Sequence, residues 1–328
     1  MNRSTMNRAI VFMFSGQGSQ YYHMGKELYE NHPRFKLWMD HCDQIARPLL
    51  QESLIDILYR QHSKSEPFDR LVHTNPALLC LEFSLSKILM EMDIQPDYVL
   101  GYSLGEIIAS VVSGALSLSE GIELVIEFAE IFERDANPAA MLAVIDSVNI
   151  IEKYPQIFRD CWLAGKNFQS SFVVSGSTED IQNLQSELDK KQIMSQKLPV
   201  NYAFHTQLVA PHEQKFKQLG ADFNFTPSRI PIISSLKSEQ IEHIDESHFW
   251  EVLRKPVEFE QTIRNMVDRD DYIFIDLGPS GTLATFVKYI LPANSNSVTF
   301  ETINQYGKNL SSLEKLKASM PVVDCEPA

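Results

Sequence analysis

The segment PDYVLGYSLGEIIASVV, residues 96–112, constrains the fold of this chain more than any other. An apolar run, Tyr98-Val99-Leu100, enters Gly101-Tyr102-Ser103-Leu104-Gly105, and an apolar helical stretch from Leu104 to Val112 follows. A buried strand that passes directly into a buried helix turns sharply, and the residue at the apex is held in a strained backbone conformation among crowding neighbours. Glycine two positions before and two positions after Ser103 removes the Cβ atoms that would clash there. The Ser103 hydroxyl then projects above the sheet, beside N–H groups that open a helix and can donate to an anion. That is the setting of a nucleophilic serine. The same residues also permit a plain strand, turn and helix with a capping serine.

Around this segment, strands and helices alternate. Ile10 to Phe14 reads as a short buried strand ending in GQGSQ, and Met24 to about Leu58 reads as helical with breaks at Pro33 and Pro48. Pro76 to Met92 and Leu118 to Arg134 read as further helices. The pattern changes near Asn137-Pro138: Met141 to Ile145, Phe172 to Ser175 and Met194 to Val200 read as strands, with a helix from Thr178 to Lys190 capped by Thr178 or Ser177. This interleaving predicts a small α+β subdomain over about sixty-five residues, of ferredoxin-like type. After His205 the pattern returns to long helices, then strands at Ile230 to Ser234 and Tyr272 to Leu277, and a weakly ordered tail from about Leu316.

A serine hydroxyl needs an adjacent base near neutral pH. Of nine histidines, His205 stands where an extended apolar segment, PVNYAF, meets a helix start; the other eight, among them His73, His212 and His248, read as solvated surface residues. The net charge of −14 argues against a nucleic-acid partner, which would need clustered Lys and Arg. Cys42, Cys80, Cys161 and Cys325 form no CxxC pair and read as free thiols of a reducing cytoplasm, with no metal site. No signal peptide and no apolar run of membrane-spanning length is expected.

Six segments then carry a family resemblance. FSGQGSQYYHMGKELY, TNPALLCLEFSL, GYSLGE, NYAFHT, FWEVLRKPVEF and FIDLGPSGTL stand in order from Val11 to about Leu283. They resemble the motifs of the malonyl-CoA:acyl-carrier-protein acyltransferases, including the acyltransferase domains of polyketide synthases. The resemblance implies an α/β fold: an α/β-hydrolase-like catalytic domain from residues 1–138 and 204–328, with residues 139–203 inserted as the ferredoxin-like subdomain. It implies Ser103 as nucleophile, His205 as its base, an oxyanion hole from the backbone N–H groups of Gln17 and Leu104, and a backbone carbonyl, placed at Val252, that orients the histidine. It implies no cofactor of the enzyme's own: acyl groups arrive on the phosphopantetheine of an acyl carrier protein or on CoA. An acyl carrier protein is acidic, so docking calls for local basic residues, and Arg254, Lys255 and Lys288 flank the site in its motifs.

The chain departs from that family at the substrate pocket. Malonyl enzymes carry an arginine 25 residues beyond the serine, which pairs with the malonyl carboxylate; here that position is Phe128. Arg134, six residues on, points roughly 120° away at about 100° per residue. A malonyl carboxylate would lose water and gain no cation, at a cost of roughly 3–5 kcal/mol. At 1.4 kcal/mol per tenfold that is about 10²–10⁴ in selectivity. Acetyl, propionyl and butyryl groups are expected instead. Tyr102 stands where the family has histidine and Asn75 where it has glutamine, and with Phe204 both are expected in the pocket. The missing arginine is shared with freestanding acyl hydrolases of trans-acyltransferase polyketide synthases, which remove acyl units from carrier proteins. The sequence reading is therefore an editing acyl hydrolase. An acyl-CoA:acyl-carrier-protein acyltransferase is the alternative, and an idle carrier-protein scaffold is a third.

Overall fold

The computed structural model describes residues 8–320. Two sheets organise it. Six strands, β1 (Ala9–Phe14), β2 (Tyr98–Gly101), β7 (Ile232–Ser234), β8 (Glu239–Ile241), β9 (Tyr272–Asp276) and β10 (Val298–Glu301), form one sheet in the order β10-β9-β1-β2-β7-β8. Every pair is parallel except β7 with β8. The central strands read as continuous apolar runs because helices cover both faces: Val11 to Phe14 and Ile273 to Ile275 are fully buried. In a parallel sheet the loops at the carboxyl ends of the strands form the binding crevice. The GQGSQ loop follows β1, the GYSLGE turn follows β2, and the LGPSG loop follows β9, so three motifs far apart in sequence share one edge.

The second sheet has four antiparallel strands in the order β4-β5-β3-β6: β3 (Ala139–Val144), β4 (Cys161–Phe168), β5 (Ser171–Ser177) and β6 (Ser195–Lys197). Its own core gathers Leu142, Val144, Phe172, Val174, Ile181 and Leu184 against the helix Thr178–Lys190, whose cap is Ser177. The fold is thus an α/β-hydrolase-like domain carrying an inserted ferredoxin-like α+β unit. β4 was not foreseen in the sequence; in CWLAGKNF two bulges, at Leu163/Gly165 and Lys166/Phe168, break the alternation of faces, and its free edge meets the large domain. There Gly165 bridges to Val257, with Lys166 N–H donating to the Val257 carbonyl (2.8 Å) and Val257 N–H to the Ala164 carbonyl (2.9 Å).

Other boundaries moved. Helix Leu71–Glu91 begins five residues before Pro76, which sits within its second turn. Pro48 lies inside the helix Pro33–Leu50 without ending it. The long helices expected after His205 are a short 3₁₀ segment, Gln207–His212, and an eight-residue helix, Glu213–Gly220. At the C-terminal end a helix, Asn309–Ser319, runs through Leu316, and the rest of the expected tail, Cys325 included, lies outside the described residues. Cys42, Cys80 and Cys161 are free thiols. Among the described residues no helix is long and apolar enough to cross a membrane.

Candidate active site

The turn after β2 has the geometry its glycines foretell. Ser103 takes φ +55°, in the left-handed region that costs a non-glycine residue free energy. A Cβ on Gly101 would overlap the backbone of Glu106, and one on Gly105 would overlap the Phe14 carbonyl of the neighbouring strand. The helix Gly105–Ser113 starts immediately, with Leu104 at its N-cap, and Leu104 lines the small cavity beside Ser103.

His205 arrives from the crossover that leaves the small sheet. It too is left-handed, at φ +62°, and its N–H donates to the Leu253 carbonyl at 2.7 Å. The ring lies with Nε2 2.8 Å from Ser103 Oγ and Nδ1 2.9 Å from the Lys255 carbonyl. The two residues, 102 apart in sequence, are thus in hydrogen-bond contact. The orienting carbonyl is that of Lys255, three residues beyond the expected Val252. The helix Glu246–Arg254 ends there, and Lys255, extended at its C-cap, turns its carbonyl to the ring, while the Val252 carbonyl acts on it second. Burial pushes the His205 pKa down to about 4, so the ring is neutral at pH 7. A neutral imidazole in contact with a hydroxyl can take its proton, and a carbonyl at the opposite nitrogen holds the tautomer that leaves Nε2 free to do so.

Two cavities meet at Ser103. The larger, of about 640 Å³, lies between the sheets and is lined by Ser103, His205, Gln17, Tyr102, Phe168 and Phe286 among others. The smaller, of about 20 Å³, is lined by Gln17, Asn75, Leu104, Phe128, Phe204, Phe249 and Val252. That space is little more than one water molecule needs. Phe128 is buried and its ring packs on Phe132, Phe204 and Phe216. Arg134 is exposed and bonded to Asp135. Among the described residues no Arg or Lys lines either cavity.

Asn75 accepts from the Gln17 amide and donates to the Val125 carbonyl at 3.2 Å, so it fixes the loop after β1 and forms part of the small cavity. Gln17 and Leu104 both line the small cavity with Ser103, and their backbone N–H groups have no protein acceptor among the described residues. Tyr102 faces the large cavity rather than the small one and donates to Asn167 of β4 at 2.9 Å. Arg254, Lys255 and Lys288 are all exposed, and Lys255 is bound to Glu251 at 2.8 Å.

Three histidines read as surface residues are buried. His248 contacts Glu106 at 2.7 Å, His73 contacts Glu52 at 3.0 Å, and His212 packs on Phe132. Polar neighbours in sequence misled here, since each histidine sits on a helix whose buried face carries it. Glu82, also missed, is fully buried and accepts from Ser15 N–H (2.9 Å) and Ser15 Oγ (2.5 Å), which holds the base of the GQGSQ loop. Burial raises its pKa well above the usual carboxylate range.

The parallel sheet, the loops gathered at its carboxyl edge and the cleft under an inserted α+β unit define the class of enzymes that carry out acyl transfer. The acyl transferase domain family matches residues 11–326, and the chain belongs to that family. It is 39% identical over 313 residues to the "polyketide biosynthesis acyltransferase homolog PksD" of Bacillus subtilis, covering 95% of this chain and 97% of the relative. It is 38% identical to the homolog BaeD of Bacillus velezensis, covering 96% and 98%. Among solved structures, a loading acyltransferase from the avermectin modular polyketide synthase superposes with a TM-score of 0.87 at 25% identity, covering 94% of this chain and all of that one.

Proposed function

We propose that this protein is an acyl hydrolase that clears short neutral acyl groups from acyl-carrier-protein thioesters during polyketide assembly, through an acyl-Ser103 intermediate. The observation that carries the reading is Phe128 in the cavity beside Ser103, with no cation lining that space among the described residues. An acyl carboxylate placed there would be desolvated and unpaired, whereas a methyl group meets aromatic rings. The narrowness of the small cavity favours acetyl over longer chains. The polyketide setting is drawn from relatives whose names carry it.

The chemistry follows from the contacts. Ser103 Oγ attacks the thioester carbonyl while its proton passes to His205 Nε2. The oxyanion is held by the N–H groups of Gln17 and Leu104, two residues that line the small cavity with Ser103. His205 returns the proton to the departing thiolate, and the thiol of the phosphopantetheine arm leaves by the large cavity. Water then gives a proton to the same imidazole and attacks the ester carbonyl; the C–Oγ bond breaks, the imidazolium returns the proton to Ser103 Oγ and the free acid leaves. No cofactor of the enzyme's own enters these steps. A cytoplasmic setting, where carrier proteins are made and loaded, belongs to the same proposal.

The second reading is acyl transfer to a carrier protein, favoured by family membership and by the loading acyltransferase that superposes. Incubation with acetyl- and malonyl-loaded carrier protein separates the readings. Release of free acetate supports the hydrolase. Loading of carrier protein from acyl-CoA supports the transferase. No turnover of any thioester points to a binding scaffold.

A further inference from the structure

Glu106 is a carboxylate buried behind the site, three residues beyond Ser103, to which the acyl chemistry above gives no part. It opens the helix after Ser103 and is 1% exposed. Its Oε1 accepts from Ser234 Oγ (3.0 Å), Ser235 Oγ (3.2 Å) and Leu236 N–H (3.1 Å), and its Oε2 contacts His248 Nε2 at 2.7 Å. His248 lies on the helix Glu246–Arg254, and carbonyls at the end of that helix hold His205: Leu253 takes its N–H and Lys255 its ring. Glu106 therefore joins the element that delivers the nucleophile to the element that aims the base.

We propose that Glu106 is a positioning residue for His205, which sets the base through His248 and stabilises its protonated form with a carboxylate that never touches it. The inference rests on the assignment of Ser103 and His205 given above. His205 is oriented only by neutral carbonyls, and it becomes a buried cation once it takes the Ser103 proton. A buried cation without a counter-charge is costly. The groups that face His205 are Ser103 from the turn after β2, the carbonyls of Val252 and Lys255 from the end of the Glu246–Arg254 helix, and, at longer range, Glu106. Glu106 is the one charged side chain among them, and its charge favours the imidazolium. Throughout, the proton moves from Ser103 Oγ to His205 Nε2 and on to the leaving sulfur. Glu106 gains none.

The test is Glu106→Gln, which keeps the shape and an acceptor oxygen and removes the charge. Wild type and Ser103→Ala set the frame: if wild type forms no acyl-enzyme by intact mass, the assignment of Ser103 fails, independently of Glu106. Given an acyl-enzyme, Glu106→Gln is expected to slow acylation by a small thioester on the order of tenfold with KM unchanged. The acid limb of kcat/KM moves to lower pH, because removing a negative charge makes the His205 cation harder to form. A wild-type rate and an unmoved limb overturn the proposal. Should Glu106→Gln fail to fold, His248→Ala reads the same link: a fall in kcat that is restored by His248→Gln, whose amide can still donate, supports it, and a wild-type kcat for His248→Ala overturns it.

Discussion

The two sides of the space around Ser103 are held by different forces. On the side of the base, two residues in left-handed conformation and a run of short hydrogen bonds fix the atoms, and glycines are required where backbones touch. On the acyl side, Phe128, Phe204 and Phe249 close the cavity by packing alone. Directional contacts tolerate no displacement, because a hydrogen bond weakens steeply with angle. Ring packing tolerates replacement by groups of similar volume. On the proposed function, the reactive side is fixed by its geometry, while the acyl side is open to rings and chains of similar volume.

That contrast can be broken or sharpened by substitution. Ser103→Ala is expected to abolish the acyl-enzyme seen by intact mass, with turnover down about 10⁴-fold or more. A residual acyl adduct would place the nucleophile elsewhere. Gly105→Ala forces a Cβ into the Phe14 carbonyl and is expected to cost about 3 kcal/mol in urea unfolding. A neutral result would mean that backbones on the reactive side are not in tight contact. The pH profile is a third probe. On the proposed mechanism neutral His205 is the reactive form, so kcat/KM is expected to hold from pH 8 to about 5 and to fall as pH drops through about 4. At pH 5.5 the rate stays near its plateau, whereas a base titrating at its ordinary value would have lost roughly tenfold.

On the acyl side, Phe128→Arg is expected to raise malonyl loading relative to acetyl by about tenfold or more. An unchanged ratio would mean that position 128 does not govern the acyl group. Lys288→Glu gives the smallest effect: about threefold slower turnover of carrier-protein substrates, with small thioesters unaffected. Equal losses on both would remove Lys288 from the docking surface.

The same contrast explains what the sequence made legible. Gly101, Ser103 and Gly105 are local, and their spacing alone describes the turn they make. His205 was visible as the histidine between an extended segment and a helix start, although its distance from Ser103 depends on the tertiary fold. The small sheet was sensed from the break at Asn137-Pro138, yet β4 was missed because two bulges interrupt its alternation. The Lys255 carbonyl could not be seen, since any residue supplies a carbonyl and only the end of a helix decides which one is free. His248 and Glu106 were hidden for a related reason: each reads as a polar residue on a helix, and only packing shows that they face each other.

The bonds between β4 and Val257 carry a consequence for access. Val257 follows Lys255 by two residues, so the inserted unit is stitched to the very segment that aims the base. Swinging that unit outward like a lid would break these two backbone bonds, two residues from the carbonyl that holds the imidazole. On the proposed function, a thioester, small or carried on a protein, reaches Ser103 through the standing gap of about 640 Å³ between the sheets, with the inserted unit in place.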